Sequence, residues 1–201
     1  IDHAEFDMDA DAMLPVSALK AMRREAIASI AAQRIAREPY KNTGAAPAPP
    51  LPHAEPDAPA LRLRFEEYSQ LFDNPAAEAI ILGVDEIIAH EELIARFGER
   101  LFAELPALCF PEDMPRLREK LIRLQNAGLR HVTADNLGTV QLGLEMGFNV
   151  HGDSSLNILN SHSLELFESL GLADATVSFE LKMNLIRRLG GNMRRGIIGY
   201  G

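Results

Sequence analysis

From residue 61 onward, short apolar runs alternate with stretches in which apolar positions recur every three or four residues. That alternation is the pattern of βα units, whose strands pair in parallel because each helix carries the chain back to the same edge. The runs predict strands at Leu61 to Phe65, Ala79 to Val84, Leu101 to Leu108, Arg130 to Ala134, Phe148 to His151, Ala175 to Phe179 and Arg195 to Tyr200. Between them the helical stretches stop at Gly128, Gly147, Gly171 and Gly190, each shortly before the next strand. A glycine there can turn left-handed and close a helix without a Cβ clash. Compact βα repeats fit this spacing better than hairpins, and both a parallel barrel and an open doubly wound sheet satisfy it. No strand is followed by a glycine-rich phosphate turn, which favours an α/β fold built as an incomplete, TIM-barrel-like β/α barrel.

Before residue 61 the pattern differs. Leu19, Met22, Ala26, Ile27 and Ile30 fall on one face between Val16 and Glu38, with Arg23, Arg24, Glu25 and Arg34 mostly between them, which predicts an amphipathic helix. Pro39 ends it. Six more prolines and several alanines follow up to Ala60, a composition that favours an extended linker. The chain therefore divides into residues 1–38, the end of a preceding domain plus the helix; 39–60, the linker; and 61–201, the β/α domain. It opens on Ile1-Asp2 inside the alternating run Phe6-Asp7-Met8-Asp9 and closes on the apolar Gly196-Ile197-Ile198-Gly199-Tyr200. Both ends read as cut, the second through what looks like a buried strand.

Composition narrows the chemistry. A net charge of −9 opposes direct nucleic-acid binding, which depends on lysine and arginine displacing counterions. Cys109 is the only cysteine, so this chain alone can form neither an intrachain disulfide nor a multi-cysteine zinc or iron–sulfur site. A reducing cytoplasm suits that usage. No apolar stretch is long enough to span a membrane, and none is expected to bind one.

In parallel βα folds the polar residues to examine are those where strands give way to helices. Asp135 and Asn136 stand at one such junction, either capping the next helix or touching a ligand. His151 and Asp153 form a His-x-Asp pair open to proton transfer, to a metal, or to simple turn formation. Asn157 and Asn160 flank Ile158-Leu159 and can tie down loop backbone or hold a polar ligand. Glu180 follows a strand; in a desolvated mouth its carboxyl becomes an acid–base candidate, and otherwise it is a helix first-turn acid. Asp153, Glu180 and His151 are thus the catalytic candidates, and Asp135, Asn136, Asn157 and Asn160 the substrate-binding ones.

Other motifs fall away. His90-Glu91 opens like a helical zinc-protease motif, but Ile94 occupies the second histidine's place, and no metal site is expected. Cys109, between Leu108 and Phe110, reads as a small packing residue rather than a nucleophile. Arg23-Arg24 reads as a solvated face.

The junction residues also carry a family resemblance. Asp135-Asn136-Leu137-Gly138, then His151-Gly152-Asp153-Ser154-Ser155-Leu156-Asn157-Ile158-Leu159-Asn160-Ser161, then Leu170-Gly171 and Val177-Ser178-Phe179-Glu180-Leu181 resemble the second half of a peptidase family U32 (collagenase-like protease) domain. Leu14-Pro15-Val16-Ser17-Ala18-Leu19 with Arg23-Arg24-Glu25-Ala26 is similar to the segment of long members that leads into that half. Lys20 stands where relatives commonly have asparagine, Phe179 where they often have proline, and the family's cysteine-rich signature lies outside this chain.

The resemblance implies a bacterial parent protein acting as a peptidase on peptide substrates, with this chain contributing a barrel half and substrate-side loops and being inactive alone. Other relatives imply an iron–sulfur protein for hydroxylating RNA bases or quinone precursors, its cluster held by cysteines elsewhere in the parent. A third reading is a non-catalytic half-barrel that binds or positions a partner. The expected partner is the rest of the parent chain, and no cofactor is expected within the fragment.

Overall fold

The computed structural model describes residues 15–35, 51–52 and 58–200. These fall into two compact units, 1–48 and 49–201. The first contains α1 (Val16–Ile35), in which no residue is buried. The amino-terminal 14 residues and most of the 39–60 linker lie outside the described residues, as do the last residues assigned to the first helix.

In the second unit seven strands run in chain order through one parallel sheet: β1 (Leu61–Phe65), β2 (Ala77–Gly83), β3 (Leu101–Glu104), β4 (His131–Ala134), β5 (Asn149–Gly152), β6 (Asp174–Thr176) and β7 (Arg194–Gly196). Helices α2 (Val84–Ala89), α3 (Glu92–Phe97), α4 (Met114–Asn126), α5 (Leu137–Glu145), α6 (Ser161–Leu170) and α7 (Met183–Ile186) connect them. Neighbouring strands are consecutive in sequence, as in a β/α barrel and unlike a doubly wound sheet.

The sheet is strongly curled. In a flat sheet β1 and β6 would stand about 24 Å apart. Arg62 of β1 nevertheless bonds Asp174 of β6 at 2.8 and 2.6 Å, and Arg194 of β7 bonds Glu78 of β2 at 2.6 and 2.5 Å. These pairs reach across the concave face, so the strands form a half-barrel with β1 and β7 as its edges.

The main apolar core lies on the convex side, under the helices. Ile80, Leu82, Leu101, Ala103, Val132 and Val150 supply the sheet side, and Ile87, Leu93, Leu121, Leu124, Leu142 and Leu164 the helix side. On the other face Ala79, Ile81 and Phe102 make a separate small cluster. The two faces differ because side chains alternate along a strand, and here the alternation is apolar against charged.

Gly128, Gly147 and Gly171 have positive φ at the helix ends the sequence marks, whereas near residue 190 it is Gly191 that takes this conformation. Gly190 has another constraint: a Cβ there would stand 2.3 Å from the Leu51 carbonyl oxygen. Strand boundaries differ from expectation most at β3, β6 and β7, and by one or two residues at β2, β4 and β5. β3 ends at Glu104 rather than Leu108, since Pro106 offers no N–H to continue a ladder. β6 runs over Asp174–Thr176, and β7 stops at Gly196, leaving Ile197, Ile198 and Tyr200 exposed rather than buried in a strand. Among the described residues no helix is long and apolar enough to cross a membrane.

Candidate functional site

The concave face carries charge where barrel interiors are commonly filled with branched aliphatic layers. Its upper part, at the carboxy-terminal ends of the strands, centres on Arg64 of β1. The guanidinium bonds Glu104 of β3 through Nε at 2.8 Å and through Nη2, bonds Asp153 at 2.8 Å, and stands 3.8 Å from Asp135. Asp135 and Asp153 follow β4 and β5 directly and are buried. Backbone geometry fixes both: Asp135 accepts from Ser155 N at 3.2 Å and Asp153 from Ser154 N at 2.6 Å. Three carboxylates thus converge on one guanidinium. Burial opposes the charge on Arg64, but the Glu104 hydrogen bond and the surrounding carboxylates outweigh it and raise its pKa.

Below this cluster, toward the amino-terminal strand ends, a second network joins six strands. Arg62 bridges Asp174 and Glu78, the latter at 2.9 Å, and Arg194 also holds Glu78. His151 Nδ1 lies 2.8 Å from Asp174, His151 Nε2 lies 3.0 Å from His131 Nδ1, and His131 Nε2 lies 2.9 Å from Glu99. Phe102 stacks on both imidazoles, with ring centres 4.6 and 4.3 Å away, and the Arg62 guanidinium lies over its ring. Burial acts to raise the Asp174 pKa, but hydrogen bonds from Arg62 and His151 overcome it and hold the carboxyl well below the usual carboxylate range. Glu78 is lowered by its hydrogen bond to Arg194, against desolvation and with help from Arg62.

The candidates named from sequence separate into two groups. Asp135 and Asp153 meet at the Arg64 cluster. His151 is buried on the same face but engages Asp174 and His131, with no hydrogen bond to Asp153 among the described residues. Asn136 caps α5 by accepting from Thr139 N at 2.9 Å, and its amide donates to the Ala107 carbonyl at 3.0 Å. Asn160 caps α6 through Ser163 N at 2.9 Å. Asn157 is exposed and takes a left-handed backbone, φ 53°, closing the turn after Asp153. Glu180 is exposed rather than desolvated in the mouth, and it precedes α7 instead of starting it.

Cys109 packs against the core and donates to Met114 Sδ at 3.3 Å, and burial followed by Asp113 pushes its thiol pKa up. His90 stacks on Tyr68 at 3.6 Å. Among the described residues no group of histidine, cysteine and acidic side chains is arranged to hold a metal ion. Arg62, Arg64, Glu78, Glu104, His131, Asp174 and Arg194 were not singled out by sequence, although the alternation Arg62-Leu63-Arg64 carries a signal for a strand with one charged face.

A curled parallel β/α half-barrel with ionisable side chains gathered on its concave face places the chain among β/α-barrel-type domains. The model of peptidase family U32 matches residues 77–197, more than half of the chain. The chain belongs to that family. The match runs from β2 through β7 and includes Glu104, Asp135 and Asp153, while Arg62 and Arg64 precede it. No curated protein and no solved structure matches the chain.

Proposed function

We propose that this domain is the substrate-binding half of a U32-family peptidase, with a peptide lying over the carboxy-terminal rim and the attacking group supplied from outside the domain. The observation that carries this reading is the Arg64–Glu104–Asp135–Asp153 cluster, held by β1, β3 and the turns after β4 and β5. Carboxylates and a guanidinium fixed by a sheet can orient peptide amides at little reorganisation cost. Cys109, the sole thiol, stays outside the cluster, against Met114.

The alternative reading is an iron–sulfur protein hydroxylating RNA bases or quinone precursors; because Cys109 is the only cysteine of this chain, its cluster would be held by cysteines elsewhere in the parent. The full-length gene product, purified anaerobically, separates the two by its iron content and by cleavage of unmodified peptides. Cleavage that survives iron removal and falls at least tenfold in Asp153→Asn supports the peptidase reading. Iron-dependent chromophore and RNA hydroxylation without cleavage would overturn it.

A further inference from the structure

Beside the Arg64 cluster, a groove of about 350 Å³ opens at the carboxy-terminal ends of β1, β2 and β3. Its floor is apolar, built by Phe65, Val84, Leu105 and Leu117. Its rim is acidic: Glu66, Asp85, Glu86 and Glu104 line it against one cation, Lys120. Lys120 is already taken by Asp85 at 2.5 Å, and Glu104 by Arg64. Glu86 accepts only a neutral backbone N–H, from Tyr68 at 2.8 Å, and Glu66 has no ion pair among the described residues. The groove therefore holds an excess of about two negative charges above an apolar floor.

One further observation bears on its occupant. Gly83 lies in the wall, and a Cβ built there would meet nothing within 4 Å, so the space over it is open. An apolar stem ending in a cation matches the groove, because lysine and arginine side chains lay their methylenes on apolar surface and keep the charged head among acceptors. A guanidinium head also presents the planar fork that pairs with carboxylates.

We propose that this groove is a specificity pocket for a basic side chain, arginine above all, of an extended peptide; the inference rests on the peptide-binding reading above. The open wall at Gly83 admits the side chain, the Phe65 and Val84 floor takes its stem, and Glu66 and Glu86 receive its head.

The test uses the 201-residue chain and three blocked pentapeptides, arginine, norleucine or glutamate flanked by two alanines on each side, titrated by calorimetry. The arginine peptide is expected to bind at least about tenfold more tightly than the norleucine one, and the preference to shrink in high salt. Glu66→Gln lowers that preference, and Gly83→Leu, which fills the groove without meeting the core, removes binding while leaving the melting temperature unchanged. Equal affinity for arginine and norleucine, or full binding by a folded Gly83→Leu variant, overturns the pocket. Failure of the underlying reading looks different: a full-length protein that cleaves neutral peptides without basic preference refutes the pocket alone, whereas one that binds arginine peptides and cleaves none refutes the peptidase reading alone.

Discussion

Replacing Asp174 with asparagine removes the charge that draws β1 onto β6 and keeps nearly the same shape. Asp174 is buried and takes two hydrogen bonds from Arg62 and one from His151. Breaking a fully buried ion pair costs about 3–5 kcal/mol. Arg62 keeps Glu78 at 2.9 Å and retains some solvent contact, so the expected loss here is about 2–3 kcal/mol. For a domain of this size that lowers the melting temperature by about 4–12 °C. The pH dependence follows from the direction of the shift. The folded pKa of Asp174 is depressed, so its contribution is fully present above the unfolded value of about 3.9 and is lost as pH falls toward the folded one. Thermal melts of the wild type and Asp174→Asn at pH 7, 4 and 3 should show a gap that is largest at pH 7 and narrows below 4. Equal melting temperatures at pH 7, or a gap that widens in acid, would refute the cross-sheet role of this pair.

Three further substitutions probe other joints of the fold and site. Gly152→Ala places a methyl 2.7 Å from Leu156 Cδ1 and 2.9 Å from Ala175 Cβ, and the overpacking should cost about 1–3 kcal/mol in urea denaturation. Asn136→Ala removes the cap of α5 and should cost about 1 kcal/mol by the same assay, with Asn136→Asp recovering most of it. In the full-length protein Asp153→Asn should reduce turnover far more than Cys109→Ser or His90→Ala, since only Asp153 joins the Arg64 cluster; equal tolerance at all three would remove the cluster from the site.

The parallel order of the strands was legible because each helix end carries its own stop signal, as at Gly128, Gly147 and Gly171, and because β-rich apolar runs separate the helices. Capping was legible for the same local reason at Asn136, while Asn160 read only as a side chain that ties down loop backbone; each serves backbone three residues away. The cluster was legible only in half. Asp135 and Asp153 stand at strand ends, where position alone draws notice, but their partner Arg64 lies some seventy and ninety residues earlier and only the curl of the sheet brings it near. Arg62, Glu78, Asp174 and Arg194 escaped for a related reason: a charged residue alternating with apolar ones reads as a solvated strand face, and the sequence carries no local sign that this face turns inward. Glu180 shows the converse, a strand-end acid that the local pattern promotes and the loop before α7 leaves in solvent.

The most direct measurement of whether the concave rim receives peptide is amide chemical-shift mapping on the isotope-labelled chain during titration with a neutral, uncleavable peptide. Perturbations gathered at residues 64, 104, 135 and 153–155 are the expected result. Shifts confined to the outer faces of α4, α5 and α6, or none at millimolar peptide, would contradict it.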